Sequence, residues 1–271
     1  MTFYKRYDGR ETSYKMKTFK ILLVTFMVLS VFACSKDDTG QDDPKNQFAD
    51  FNSQICQNIT GIKALFWDYA NGLPTPLAKI PTIKNPGDYF IHSAYPQLGF
   101  QLPQGYTAFE VSQAQPPLLG VNVIRNDNRA VWRYVPINSL DGQVTVSNAV
   151  ASEVNGMFNF YGFNGNFNVL CSETKTTDFG GVQLVFSARL IEFGEFTGLV
   201  YTNLTFSPSI NLTQVSSFVA AAPTADFDFE VFNTFLPISF QLLVIDDGVR
   251  DSDLDGFPDN EDAFPFDPNR H

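Results

Sequence analysis

Val182-Gln183-Leu184-Val185-Phe186-Ser187-Ala188-Arg189-Leu190 is the stretch whose reading decides the fold. Val182, Leu184, Phe186, Ala188 and Leu190 share one parity, with Gln183, Ser187 and Arg189 on the other. Successive side chains of a strand point to opposite faces, so this period of two is that of a strand with one buried face. Phe227, Phe229 and Val231 alternate against Asp226, Asp228 and Glu230 in the same manner. Working outward, the same texture predicts strands over 89–94, 107–111, 121–125, 130–135, 143–147, 157–163, 167–171, 182–190, 198–206, 227–232 and 238–245. Asn126-Asp127-Asn128, Asp141-Gly142, Asn164-Gly165 and Gly180-Gly181 separate them as turn signals. Many short strands with spaced turns predict a mainly β body, an antiparallel sandwich or barrel.

One helix is expected ahead of this body. Phe48, Phe51, Ile55, Ile59, Ile62, Phe66 and Tyr69 recur at steps of three and four. Gly61 inside the stripe costs ~1 kcal/mol relative to Ala and is a natural break. Asn71-Gly72 followed by Pro74 ends the pattern. The chain has 28 Phe, so Trp67, Trp132 and the aromatics of the segment FNFYGFNGNF (158–167) are expected mainly in the core. That segment reads as a glycine-bent hairpin with its rings packed inward; exposed, the same rings could stack on sugars.

The beginning of the chain carries a different signal. Lys17 and Lys20 precede an apolar run over 21–33, which ends at Cys34 and is followed at once by charge. The run is shorter than the ~20 residues that span a bilayer as a helix. Its basic, apolar and small-residue parts are those of a secretory signal, with Met16 as a start of normal shape. Val31-Phe32-Ala33-Cys34 resembles the lipobox of bacterial lipoproteins. That resemblance implies an acylated Cys34 as the mature N-terminus and a membrane held through lipid. Ser35-Lys36-Asp37-Asp38-Thr39 resembles the surface-export signal of Bacteroidota lipoproteins, which implies an outer-membrane protein facing the medium. Residues 35–46 contain too little apolar mass to fold and read as a tether. The expected organisation is a signal peptide over 1–33, a lipidated tether over 34–46, a β-rich domain over 47–248 and a separate segment over 249–271.

That last segment has the strongest chemical pattern in the chain. Asp251-Ser-Asp253-Leu-Asp255-Gly256-Phe257-Pro-Asp259-Asn-Glu-Asp262 sets oxygen ligands at positions one, three, five, nine and twelve, with glycine at six. This spacing wraps a hard cation, with the Phe257 carbonyl supplying position seven. With Ala263-Phe264-Pro265-Phe266-Asp267-Pro268 the segment resembles a bacterial thrombospondin type 3 repeat. The resemblance implies calcium held by Asp251, Asp253, Asp255, Phe257, Asp259 and Asp262. Only one full repeat is present, whereas members of that family stack several.

The formal net charge is −11, and the acids concentrate after Cys34 and in the C-terminal segment. With no basic stripe to release counterions, nucleic acid is not an expected partner. Of the three cysteines, Cys56 and Cys171 remain once Cys34 is assigned to lipid. In an oxidising compartment they are either joined, which in the chain-entropy model contributes up to ~4–5 kcal/mol, or two separate buried thiols.

No catalytic residue is assigned. His92 and His271 are the only histidines, neither has a ligand partner at helical spacing, and His92 is expected on the polar face of a strand. Asp68, Glu110, Glu153, Glu192 and Glu195 are the acids from which a glycosidase pair could be drawn, since such pairs act through space. The expectation is therefore an exported, lipid-anchored binding or structural protein, adhesin-like or glycan-contacting, with calcium as its ligand-held ion. The alternatives are a carboxylate-dependent glycan hydrolase and a subunit of an outer-membrane assembly.

Overall fold

The computed structural model describes residues 51–73, 81–93, 99–111, 120–179, 182–243, 257 and 269–270. Cys34, the tether, His271 and the ligand positions Asp251, Asp253, Asp255, Asp259 and Asp262 lie outside these residues; Phe257, within them, sits at a bend with its ring exposed.

The body is mainly β and antiparallel, as the alternation predicts. Two short strands, β1 (Pro86–Phe90) and β2 (Phe100–Pro103), pair with each other. Seven more form one antiparallel sheet: β3 (Tyr106–Val111), β4 (Gly120–Arg125), β5 (Val131–Asp141), β6 (Phe167–Phe179), β7 (Val182–Phe193), β8 (Phe196–Ser207) and β9 (Leu212–Pro223). Their order is β3-β4-β5-β9-β8-β7-β6, so β9, the last in sequence, lies in the middle. Every neighbouring pair is antiparallel.

The helices are α1 (Ile62–Ala70), α2 (Val146–Tyr161), α3 (Phe227–Glu230) and α4 (Leu236–Leu243), with a π-helical turn over Val231–Phe235 joining the last two. α1 is shorter than the stripe that predicts it. Gly61 takes φ 76° and becomes its N-cap, so residues 51–60 leave the helix and form a loop. That backbone angle is open to glycine and costly to most other residues. Asn71 and Gly72 end the helix at the expected place.

Both faces of the sheet are covered, and the parity of the strands sorts the core. On one face Trp132, Leu190, Leu199 and Ala220 join Phe66, Phe100, Phe227 and Phe235 from the helices and β2. On the other, Val131, Ile191, Val200, Val219 and Ala221 pack under Val150, Val154 and Met157 of α2. The phenylalanines are spent here: Phe66 meets Phe218 edge-on at 5.7 Å, and Trp132 meets Phe100 and Phe218 edge-on at 5.6 and 5.9 Å. Such geometry sets the positive ring edge against the negative face. Trp132 Nε1 donates to Ser239 Oγ at 3.1 Å, which satisfies the one polar atom of a fully buried ring and docks α4.

Four predicted strands are helical instead, in whole or in part. Residues 143–147 and 157–163 belong largely to α2 and its flanks: Thr145 caps the N-terminus by accepting from Asn148 N at 3.2 Å, and Gly162, left-handed, caps the other end. Of the rings of 158–167, Phe158, Tyr161 and Phe163 pack inward, Phe158 about equally close to Phe163, Phe167 and Phe193 (5.1, 5.1 and 5.0 Å), whereas Phe160 and Phe167 are exposed. Residues 227–232 and 238–243 lie in the C-terminal helical segment, because Phe227, Val231 and Phe235 recur every fourth residue and all are buried. β2 and β9 were not anticipated from the pattern.

The loop before α1 is pinned at two points. Asp68, buried in α1, accepts from Ser53 Oγ (2.7 Å) and Gln54 N (2.8 Å). Cys56 is joined to Cys171 of β6 with Cα atoms 6.1 Å apart and a sequence separation of 115. That spacing is ordinary for a disulfide. Asn58 Nδ2 donates to Leu170 O at 3.2 Å beside it.

Candidate functional site

One end of the large sheet gathers the turns β2–β3, β4–β5 and β7–β8 together with the chain leaving β9, since Tyr106 stands opposite Arg125, Val131 opposite Ala221 and Phe196 opposite Pro223. The tight turns there use left-handed residues, among them Gly105 (φ 81°) and Gly194 (φ 55°). Charged residues of distant sequence origin meet at this end, and Arg125 is their hub.

Arg125 Nε donates to both oxygens of Asp127 (2.9 and 3.1 Å), Nη1 to Glu230 Oε1 (2.5 Å) and Nη2 to Asp226 Oδ2 (3.3 Å). Glu230 is buried, and it also accepts from Tyr106 Oη and from Thr234 Oγ1 (2.8 Å). A buried carboxylate is tolerated only when paired and hydrogen-bonded in this way. The electrostatics follow. Asp127's bonds to the guanidinium raise Arg125 further above its ordinary range, and the same bonds lower the Asp127 carboxyl. Burial, then the Glu230 carboxylate, pushes the Tyr106 phenol well up, so it stays a proton donor. The cluster is a clasp. It fixes the start of the C-terminal helical segment to the end of the sheet.

Beside it, Arg129 Nη2 donates to Glu195 Oε2 at 2.8 Å and its guanidinium lies 5.5 Å from the Phe196 ring centre. Glu195's hydrogen bond raises Arg129, at the surface. Tyr161 Oη is within hydrogen-bond distance of Arg129 O and Ala221 O; burial raises its phenol. Two open hollows flank the clasp. One, about 480 Å³, runs along Gly87, Gln104, Gly105 and Asn126. The other, about 700 Å³, is rimmed by Arg129, Glu192, Glu195 and Asp226.

The acids from which a catalytic pair could be drawn are mostly dispersed. Asp68 belongs to the loop before α1. Glu110 Oε1 and Oε2 accept from Ser93 N (2.5 Å) and Ser93 Oγ (2.6 Å). Glu153 meets Arg133 at 3.3 Å under α2. Glu192 and Glu195 line one hollow. His92, expected on a polar strand face, is instead buried just beyond β1, with Nδ1 3.9 Å from Glu110 Oε1. Folding of β1 against β3, a long-range event, puts it there. Among the described residues no three His, Cys, Asp or Glu side chains are gathered as metal ligands, and no helix is long and apolar enough to cross a membrane. Nothing in the local sequence marks the Arg125 clasp, whose members span 106–234.

No protein-family model matches the chain, and no curated protein matches it in sequence. Some solved structures are loosely similar. Cyanobacterial PsbP (CyanoP) from Synechocystis sp. PCC 6803 aligns with a TM-score of 0.30 and 13% identity, over 53% of this chain and 84% of its own. LpqN of Mycobacterium tuberculosis, described as involved in cell envelope biogenesis, gives 0.26 and 12% over 49% and 77%. The Ran-binding protein Mog1p of Saccharomyces cerevisiae gives 0.28 and 14% over 59% and 90%. Likeness this loose carries nothing about function.

Proposed function

We propose that this chain is an exported lipoprotein of the outer membrane, acylated at Cys34 and facing the medium, whose β-rich body serves binding or scaffolding rather than catalysis. Calcium is held by Asp251, Asp253, Asp255, the Phe257 carbonyl, Asp259 and Asp262, and stiffens the C-terminal segment. The ligand class is an extracellular glycan or protein.

The observation that carries the non-catalytic half is the dispersal of the acids. Asp68, Glu110 and Glu153 each satisfy a separate local structure. Glu192 and Glu195 do line one hollow, which is what favours the hydrolase as a second reading. Glu195, however, is 63% exposed, whereas a proton-donating carboxyl in that chemistry sits in a shielded pocket. The Cys56–Cys171 link supports export, since such bonds persist outside the reducing cytosol.

The tests are separable. Metabolic labelling with a fatty-acid analogue is expected to mark the wild type and not Cys34→Ser; equal labelling, or none, removes the lipid anchor. Calcium titration by calorimetry is expected to give a dissociation constant of about 10⁻⁴–10⁻³ M, lost in Asp255→Asn. Absence of heat, together with an unchanged melting curve in chelator, removes the ion. Glycan turnover abolished by Glu192→Gln would establish the hydrolase in place of the binder.

A further inference from the structure

Among the described residues the large sheet ends in a long exposed edge that the proposed function does not use. β6 ends the sheet, with β7 as its strand neighbour among the described residues. It is covered at Leu170 and Cys171, where the Cys56–Cys171 link and the Asn58-to-Leu170 bond bring the loop before α1 against it. Beyond Cys171 this cover ends. Ser172, Thr174, Thr176 and Thr177 are exposed, and Glu173 and Lys175 are half-buried. An edge strand leaves alternate backbone N–H and C=O groups unpaired and is a template for another strand. Soluble proteins blunt such edges with proline, a bulge or charged side chains; the one bulge in β6 lies before Cys171, 172–178 contains no proline, and its charges are Glu173, Lys175 and Asp178.

The charges on this edge select the strand that fits it. Glu173 stands opposite Ala188 and Lys175 opposite Phe186, so both project on the face that carries α1 and α4. Neither is in an ion pair among the described residues. We infer that β6 pairs antiparallel with β6 of a second copy, about a two-fold axis through Thr174, to make one sheet continuous across two molecules. In that register Glu173 of each copy faces Lys175 of the other, twice. Ser172 faces Thr176.

The alternatives are worse for a stated reason. A two-fold axis normal to the sheet must pass through a pair of equivalent residues, since neighbours along a strand alternate faces. Centring on Glu173 opposes two carboxylates, and centring on Lys175 opposes two ammonium groups; like charges directly opposite destabilise a strand pair. Centring on Thr176 leaves Lys175 opposite Thr177, with no complementary charge. Only Thr174 makes the edge complementary to itself. The net charge of −11 opposes any self-association, so the local attraction at Glu173 and Lys175 decides whether the pair forms.

The test is sedimentation of the full chain from low to high micromolar concentration, with circular dichroism confirming that each variant is folded. The wild type is expected to show a reversible monomer–dimer equilibrium. Lys175→Glu and Glu173→Lys, each of which converts both cross-strand pairs to repulsive ones, should weaken it about tenfold or more. The double variant E173K/K175E, which restores both pairs with their signs exchanged, should recover the dimer. Thr174→Cys should cross-link to itself on oxidation. A wild type that stays monomeric overturns the inference, as do single variants that dimerise normally. Failure of the double exchange to rescue overturns it as well.

Discussion

Met157 of α2 rests on Gly198 of β8 so closely that a Cβ built at position 198 would lie 2.5 Å from the Met157 sulfur. Phe193 stands 3.3 Å from the same point. The absent side chain is therefore what lets α2 sit flat on the sheet.

Gly198→Ala is expected to destabilise the fold by about 1 kcal/mol, the low end for overfilling a packed core, since the end of the flexible Met157 side chain can shift. The loss should be sub-additive with Met157→Ala, since removing the thioether makes room for the new methyl. Urea unfolding of both single variants and the double variant measures the coupling. Strict additivity would mean that the two positions do not touch.

The Arg125–Glu230 pair should show the asymmetry of buried charges. Arg125→Met leaves Glu230, with a side chain 3% exposed, without its cation, and should cost ~3–5 kcal/mol. Glu230→Gln keeps the shape and leaves Arg125 its bonds to Asp127 and Asp226, so it should cost less, ~1–3 kcal/mol. Thermal unfolding of the two variants ranks them, and the reverse order would deny the clasp its role.

Removing the Cys56–Cys171 link should cost ~2–5 kcal/mol, because the ring it closes spans 115 residues. Cys56→Ser paired with Cys171→Ser, compared with the wild type by guanidinium unfolding, measures it. The loop over 51–60 should then gain amide exchange, as its disulfide tie to β6 is gone and the hydrogen bonds to Asp68 and from Asn58, with the packing of Ile59, remain.

Glu110 predicts an acid-dependent contribution. The Ser93 hydroxyl and then its N–H donate to the carboxylate and hold its pKa below the ordinary 4.5. A carboxyl depressed in the folded state adds stability that is complete above its unfolded value and is lost as pH falls through the folded value. The stability difference between wild type and Glu110→Gln should therefore be constant above pH ~5 and shrink below ~4.5. Ser93→Ala should reduce its size. Unfolding midpoints across acid pH test this, and a pH-independent difference would contradict it.

What could be read from the sequence was the part whose cause is local. The alternation in 182–190 lies in β7, and that in 121–125 in β4, although β7 is covered on both faces, with Ser187 buried and Val182 exposed rather than one face dry and one wet. β9 escaped notice because it is covered on both sides: Phe218 and Ala220 face one core while Val219 and Ala221 face the other, so no polar parity appears. The run Asp226, Asp228, Glu230 looked like the wet face of a strand. Glu230 is in fact buried, and only Arg125 and Tyr106, more than a hundred residues earlier, make that tolerable. α2 did carry readable marks in Thr145 and Gly162, but the aromatic density of 157–163 imitated a hairpin. The clasp was illegible for the same reason as Glu230: its members meet only after the sheet closes.

The place of β9 has a consequence for how the chain is made. On one side it pairs with β5 and on the other with β8, so strands β3 to β5 and the meander β6 to β8 are two half-sheets with no hydrogen bonds between them until residues 212–223 arrive. A chain emerging from a ribosome, or from a translocation channel, holds both halves open until nearly its whole length is out, then zips them with a single late segment. Non-local closure of this kind is slow. Any lesion that delays Leu212–Pro223 leaves two raw edges facing each other, and aggregation should begin there.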